Sequence, residues 1–113
     1  MSSEYVPDVG HIVWIDFDRQ AGREQRGRRP ALVLSPVAYN AKTSLAVLCP
    51  ITSSVKAYPF EVLIEGVPHI SGAVLSDHAK SLDWRVRNAQ FEAAIPTKLL
   101  EAVRLKLGAL IGL

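Results

Sequence analysis

Basic residues crowd into one short segment of this 113-residue chain, between positions 19 and 29. The segment carries a formal charge of +4, with Glu24 as its one carboxylate, while the rest of the chain sums to −2. Guanidinium forks bind phosphate oxygens bidentately, so the segment predicts a nucleic-acid-contacting surface, whereas a solvated loop would account for only part of this charge. Its arginines are Arg19, Arg23, Arg26, Arg28 and Arg29.

Glu24 is the first candidate for proton transfer in this segment. The surrounding arginines favour its ionised form, and an ionised carboxylate could accept a proton from a ribose hydroxyl. The same carboxylate could instead balance charge and shape the loop. Both roles stay open from the residues alone.

Hydroxyl side chains form a second candidate cluster, Thr52-Ser53-Ser54, just after Pro50-Ile51 and close to Lys56. Such hydroxyls can donate to a phosphoryl oxygen or to a base, although Ser/Thr clusters also mark turns. Tyr58 follows this cluster closely in the chain, and its ring could stack on an RNA base. We expect this segment to contribute to a binding site.

The histidines at positions 11, 69 and 78 lack metal-ligand spacing, and no acidic cluster suggests a two-metal site. The sequence therefore predicts no metal and no other cofactor. His78, directly after Asp77, is a further candidate for proton transfer at neutral pH.

Short apolar segments separated by Pro and Gly predict a mainly β protein. In the last of them, Trp84 and Val86 would point inward, and Arg85 and Arg87 outward, where they would extend a basic groove or form surface ion pairs. The predicted strands cover residues 11–17, 31–34, 45–49, 60–65, 72–77 and 84–89, with a short turn or helix at 38–43.

The C-terminal segment changes to helical periodicity after Thr97. Pro96-Thr97 would cap this helix, and its apolar stripe would consist of Leu100, Val103, Leu107 and Leu110. We expect one domain, residues 1–113, built from a strongly bent, barrel-like antiparallel sheet of five to seven strands and this helix.

Composition narrows the class of protein further. With 49% hydrophobic and 21% charged residues, a packed core is expected and disorder is not. The single cysteine, Cys49, cannot form an internal disulfide, and neither an export signal nor a membrane span is evident. These features predict a cytoplasmic protein.

Taken in order along the chain, these motifs resemble the MazF/PemK family of toxins. The resemblance rests on VWIDFD at 13–18, GREQ at 22–25, GRRPALVLSP at 27–36, PIT at 50–52, YPFEV at 58–62 and the segment from VLSD at 74–77 to KSLDWR at 80–85. It covers essentially the whole chain.

The resemblance implies an SH3-like (PemK/CcdB-like) barrel that forms a homodimer. It further implies a sequence-specific, ribosome-independent endoribonuclease that cuts single-stranded RNA without a metal, and a cognate MazE-like antitoxin. In the family, a 2′-hydroxyl attacks the neighbouring phosphate and leaves a 2′,3′-cyclic phosphate and a 5′-hydroxyl. Arg29 and Thr52 match the family's catalytic positions, and Glu24 matches a glutamate linked to activity.

Arg29 is suited by its chemistry to stabilise the charge of the phosphorane-like transition state. A guanidinium is a poor proton acceptor, so the general base stays open between Glu24 and a less direct route. The expected RNA-binding residues are Arg19, Arg23, Gln25, Arg26, Arg28, Ser53, Lys56, Tyr58, Asp77, His78, Arg85 and Arg87. The alternatives are a non-catalytic CcdB-like gyrase poison and a barrel that binds RNA without cutting it.

Overall fold

A computed structural model describes residues 4–17 and 27–113 of the chain. Seven strands, two α-helices and one short 3₁₀ helix (Ser76–His78) form within these residues, and every strand pair is antiparallel. The strands are β1 (His11–Phe17), β2 (Gly27–Val33), β3 (Leu45–Thr52), β4 (Glu61–Leu63), β5 (Ala73–Leu75), β6 (Lys80–Asp83) and β7 (Gln90–Ala94); the helices are α1 (Val37–Thr43) and α2 (Thr97–Leu110). The predicted mainly β fold with a C-terminal helix is confirmed.

Strand β3 is the centre of the sheet. The order of strands is β4-β5-β3-β2-β1-β7. Two strands share the side of β3 that faces away from β2: β6 pairs with the first half of β3, and β5 pairs with its last two residues. Within the described residues, β4 and β7 are the ends of this path and do not pair with each other. The sheet is therefore barrel-like but open.

Alternation along the strands divides the apolar side chains between two faces of the sheet. Ile12 and Leu32 belong to one cluster, which α2 covers through Leu100 and Val103. Val13 and Ile15 belong to the other, which β6 and the buried Trp84 complete. The two clusters hold β1 and β2 rigidly from both sides.

Strand β2 begins earlier than its apolar run indicated. Pairing with β1 starts at Phe17↔Gly27 and continues through Ile15↔Arg29, so Arg28 and Arg29 belong to a strand rather than to a loop. Pairing with β1 extends β2 toward its N-terminus through Arg28 and Arg29, whose polar side chains do not predict a strand. Arg29 thus has a fixed backbone.

The prediction of a strand over 84–89 was wrong. These residues form a turn between β6 and β7. The Asp83 carboxylate accepts hydrogen bonds from the backbone N–H groups of Arg85 and Val86, both at 3.1 Å, which favours a turn over an extended chain. Trp84 is buried as predicted, but Val86 is 75% exposed.

Helix α2 forms where predicted but begins without the expected side-chain cap. Pro96 occupies the N-cap position, where it offers no side-chain hydrogen bond, and Thr97 is the first helical residue. The stripe is buried at Leu100 and Val103, whereas Leu110 is 48% exposed. Neither helix of the described residues has the length and apolar character of a membrane span.

Candidate active site

Arg29 and Thr52 lie just beyond the point where β2 and β3 separate. The last paired residues are Ala31 and Pro50, and continuing this register by two residues brings Arg29 across from Thr52. Opposite residues of an antiparallel pair project to the same face. Beyond this point β2 stays paired with β1, while β3 stays paired with β5 on its other side. The two predicted catalytic residues therefore share one face of an opening in the sheet.

The Thr52 hydroxyl is oriented by its own turn. Its Oγ1 accepts a hydrogen bond from the backbone N–H of Ser54 at 3.1 Å, and the residue is only 8% exposed. Because the oxygen is an acceptor in this bond, its proton remains available for donation to a neighbouring group. Thr52 is thus a preoriented hydrogen-bond donor.

Gly72 packs directly against the backbone of Thr52. A Cβ atom at Gly72 would overlap the Thr52 carbonyl oxygen, and the φ of +116° is one that other residues rarely adopt. Strand β5 starts at the next residue, Ala73, which pairs with Thr52. The close approach of Gly72 fixes the place where β3 ends.

A cavity of about 250 Å³ lies beside the opening. Strands β1, β2 and β3 form one wall, and the loop between β4 and β5, residues 64–72, forms the other. The residues that line it are Trp14, Arg28, Arg29, Pro30, Ile51, Ser53, His69, Ile70 and Ser71. It combines apolar walls with hydrogen-bonding groups and two cations, which is the composition of a ligand site.

Arg28 is held in a network of hydrogen bonds. Its guanidinium donates to the carboxylate of Asp16 at 3.0 Å, to the carbonyl of Asn88 at 2.9 Å and to the side chain of Gln90 at 2.7 Å. A hydrogen bond from the Asn88 amide, and then the one from Arg28, lower the pKa of Asp16. Arg28 joins β2 to the 84–88 turn; its contact with RNA stays a prediction.

The loop after Thr52 is shaped by a carboxylate on β4. Glu61 accepts hydrogen bonds from the backbone N–H groups of Lys56, at 3.0 Å, and Ala57, at 2.6 Å. These bonds hold Ala57 at a φ of +59°, a left-handed conformation that disfavours side chains with a Cβ. The Lys56 side chain is exposed on this loop.

Ala57→Gly should therefore stabilise the protein by about 0.5–1 kcal/mol, because relief of the left-handed strain exceeds the entropy that glycine adds to the unfolded chain. Thermal or denaturant unfolding measures the change in the free energy of unfolding. The control is Ala79→Gly, where φ is −59° and the same substitution should destabilise. Equal effects of the two substitutions would contradict the strain at Ala57.

Tyr58, Asp77 and His78 form a second cluster. The Tyr58 hydroxyl donates to the Asp77 carboxylate at 2.6 Å, and burial together with this bond raises the pKa of Tyr58. His78 Nε2 lies 3.9 Å from the same carboxylate oxygen. The structure thus brings together three of the predicted RNA-binding residues.

Arg85 and Arg87 lie on the turn rather than on a strand face. Arg85 stacks on the Trp84 ring at 4.2 Å and pairs with Glu4 at 3.2 Å. Arg87 donates to the carbonyl of Asp16 at 3.2 Å. Both arginines have structural partners, and their contact with RNA stays a prediction.

Five predicted site residues lie outside the described residues: Arg19, Arg23, Glu24, Gln25 and Arg26. Within residues 4–17 and 27–113, no group of three His, Cys, Asp or Glu side chains is arranged to hold a metal ion.

The cavity contains residues that the sequence did not single out as a site. Trp14 had the pattern of a core residue, and His69 was one of three scattered histidines. Nothing in the local sequence joins them, because they come from β1 and from the 64–72 loop, more than fifty positions apart. Pro68, directly before His69, was the available signal of a loop.

Comparison with known proteins finds relatives that match almost the whole chain. The family model for the PemK-like, MazF-like toxin of type II toxin–antitoxin systems matches residues 8–111. The chain is 44% identical to the endoribonuclease toxin MazF of Escherichia coli K12, over 99% of this chain and 100% of that protein. It is 30% identical to the endoribonuclease PemK of Escherichia coli, over 90% and 80% of the two chains.

Solved structures agree with this result. The crystal structure of MazF from Deinococcus radiodurans superposes with a TM-score of 0.93 at 56% identity, over 97% of this chain and 100% of that one. The MazF chain of a MazE–MazF crystal structure from the same organism gives 0.87 at 52% identity, over 97% and 99%.

Proposed function

We propose, since the chain belongs to the PemK-like, MazF-like toxin family of type II toxin–antitoxin systems, that Arg29 and Thr52 are the residues with which it cleaves RNA. It is an endoribonuclease toxin. The observation that carries the proposal is the register of β2 and β3, which brings these two residues to one face at an opening in the sheet.

Cleavage at this site would proceed by attack of a ribose 2′-hydroxyl on the adjacent phosphate. The O2′–P bond forms as the P–O5′ bond breaks; the 2′-hydroxyl loses a proton and the leaving 5′-oxygen gains one. Negative charge gathers on the non-bridging oxygens in the transition state. Arg29 supplies a cation and Thr52 a preoriented hydroxyl donor to those oxygens, and no metal is required.

The substrate we propose is single-stranded RNA, because its unpaired bases can reach the cavity next to Arg29. We also propose that Ser53, Lys56 and Tyr58 contact the RNA from the loop after Thr52. Cleavage of a long RNA in EDTA, with mapping of the new ends, tests this function. Uncut RNA with the wild-type protein would refute it; uncut RNA together with trapped gyrase on DNA would favour the CcdB-like alternative.

Thr52→Ala should slow cleavage by about 10²-fold, since it removes one donor to the transition state. Thr52→Ser is the matched control: it keeps the hydroxyl and should retain most of the activity. The measurement is the single-turnover rate on a saturating RNA. Equal rates for alanine and serine variants would remove the hydroxyl from the mechanism.

We further propose that the protein is a homodimer that buries the apolar residues exposed at the C-terminal end of the chain. Leu105 and Ile111 are 75% and 62% exposed, and Leu63 on the neighbouring strand β4 is 58% exposed. Apolar side chains this exposed favour association. A Leu105→Glu variant should elute as a monomer at a concentration at which the wild type is a dimer; a monomeric wild type would contradict the proposal.

The remaining partner in the proposal is a cognate MazE-like antitoxin. Related toxins are seen in complex with MazE. An acidic, extended antitoxin segment would be attracted to the basic residues around Arg29, which increases the rate of capture. Inhibition of RNA cleavage by the antitoxin, weakening as salt rises, tests this partner.

A further inference from the structure

We propose that the cavity between β2 and the 64–72 loop is a nucleotide subsite, in which His69 determines the preference for one base beside the cleaved bond. This inference rests on the proposed function. It assigns one nucleotide of the RNA substrate to this cavity and a role in base preference to His69, which takes no part in the Arg29–Thr52 reaction.

The loop that carries His69 is fixed in place. Its ends are joined by a hydrogen bond from the Ile64 N–H to the Gly72 carbonyl at 3.0 Å. Val67 and Ile70, on either side of His69, are buried at 9% and 7% exposure and anchor the loop in the core. His69 itself is exposed and lines the cavity.

His69 also holds a costly backbone conformation. Its φ of +67° lies in the left-handed region, which residues other than glycine seldom adopt, although histidine, asparagine and aspartate do so more often than the rest. The two buried anchors maintain this conformation. The backbone of His69 is therefore fixed at the cavity wall, from which its exposed imidazole can reach a ligand.

The opposite wall offers a surface on which a base can stack. Trp14 is half-buried, and its indole N–H donates to the Glu92 carboxylate at 3.0 Å, which fixes the ring. Pro30 and Ile51 continue this apolar wall, and Ile70 adds an apolar side chain from the 64–72 loop. Stacking on an aromatic ring is a common way for proteins to hold an unpaired base.

The polar groups of the cavity match a nucleotide. Ser53, Ser71 and the His69 imidazole can donate to or accept from the edge of a base. Arg28 and Arg29 are its charged residues, and none of the described residues that line it is acidic. Arg29 borders the cavity from β2, so a nucleotide seated there adjoins the phosphate that Arg29 contacts.

An RNA nucleotide explains this combination better than an acidic peptide does. A peptide carboxylate would be attracted by the two arginines alone, whereas the fixed indole, the apolar walls and the hydrogen-bonding edge together suit a base attached to a phosphate. The peptide is therefore kept as an outcome of the test.

His69→Asn is the variant that tests the subsite, because asparagine tolerates the left-handed conformation while presenting a different pattern of donors and acceptors. We expect KM to rise roughly tenfold on the preferred RNA, with kcat within about threefold of wild type. Mapping of cleaved ends on a long RNA should show a relaxed base preference at one position next to the cut. Glu65→Gln, on the same loop but not lining the cavity, is the control and should match the wild type.

A second measurement uses Trp14 as a reporter. Binding of an uncleavable oligonucleotide, with a 2′-deoxyribose at the cut position, should quench the tryptophan fluorescence of the wild type. The quenching should be lost in Trp14→Phe, because the other tryptophan, Trp84, is 3% exposed and gives a constant background. Equal quenching in both proteins would overturn the stacking role.

Each remaining outcome decides the inference. If the wild type cuts RNA and His69→Asn keeps both its KM and its cleavage pattern, the subsite is refuted while the nuclease function stands. The same result with weakened antitoxin inhibition would assign the cavity to the antitoxin peptide instead. If the wild type leaves RNA intact, the proposed function itself fails.

Discussion

Replacement of Arg29 by alanine should lower the rate of RNA cleavage by about 10³-fold at saturating RNA. The expected loss exceeds that for the Thr52 hydroxyl, because Arg29 contributes a full positive charge as well as hydrogen bonds to the transition state. Its backbone is held in the β1–β2 ladder opposite Ile15, so the side chain extends from a fixed Cα position. The measurement is the single-turnover rate.

Arg29→Lys is the matched control for this prediction. Lysine keeps the positive charge but lacks the planar fork, so we expect an activity between those of the wild type and the alanine variant. Thermal unfolding of all three proteins shows whether the fold is retained. If a well-folded Arg29→Ala enzyme cleaved at a rate near that of the wild type, Arg29 would have no part in transition-state stabilisation.

Gly72→Ala should lower the stability of the fold more than alanine at Gly66 does. The new Cβ would overlap the Thr52 carbonyl oxygen and come within 3.3 Å of the Ser53 Cα, both backbone atoms that cannot rotate away. Overpacking and an unfavourable φ together predict a loss of about 2–4 kcal/mol. Because the displaced residue is Thr52, cleavage should fall along with stability.

Gly66→Ala separates the two causes of this loss. Gly66 also has a positive φ, +77°, but a Cβ there would meet no atom within 4 Å. We therefore expect only the backbone penalty, about 1 kcal/mol, and unchanged cleavage. Denaturant unfolding and cleavage rates below the unfolding transition check both variants. Similar losses for the two alanines would show that Gly72 matters for its conformation rather than for its contact with Thr52.

Sequence patterns were informative where the local physics agreed with the tertiary structure. Strand β1 was predicted with its observed bounds, because its β-branched and aromatic residues follow a glycine that ends the preceding turn. Helix α2 was found from its 3.6-residue period. In the 84–88 segment the local pattern and the tertiary structure disagree. Its alternation favoured a strand, but the Asp83 carboxylate accepts hydrogen bonds from two backbone N–H groups that strand pairing would have used.

The candidate site also contains residues that the sequence indicated and residues whose partners only the structure shows. Arg29 and Thr52 could be chosen from the sequence, because their motifs resemble those of a known family and their side chains suit phosphate chemistry. Arg28 could not be distinguished from Arg29 in this way, since its partners Asp16, Asn88 and Gln90 come from three separate segments.

The sequence by itself determined the chemical types at the candidate site: a dense group of arginines, a threonine two residues after a proline, and strands short enough to build one open sheet. Only the tertiary structure decided which of these groups lie on one face. The register of β2 and β3 brings Arg29 across from Thr52, Gly72 sets the end of β3, and the 64–72 loop adds His69 opposite Trp14. These are contacts between residues distant in sequence, and they depend on backbone pairing and close packing that no local pattern records.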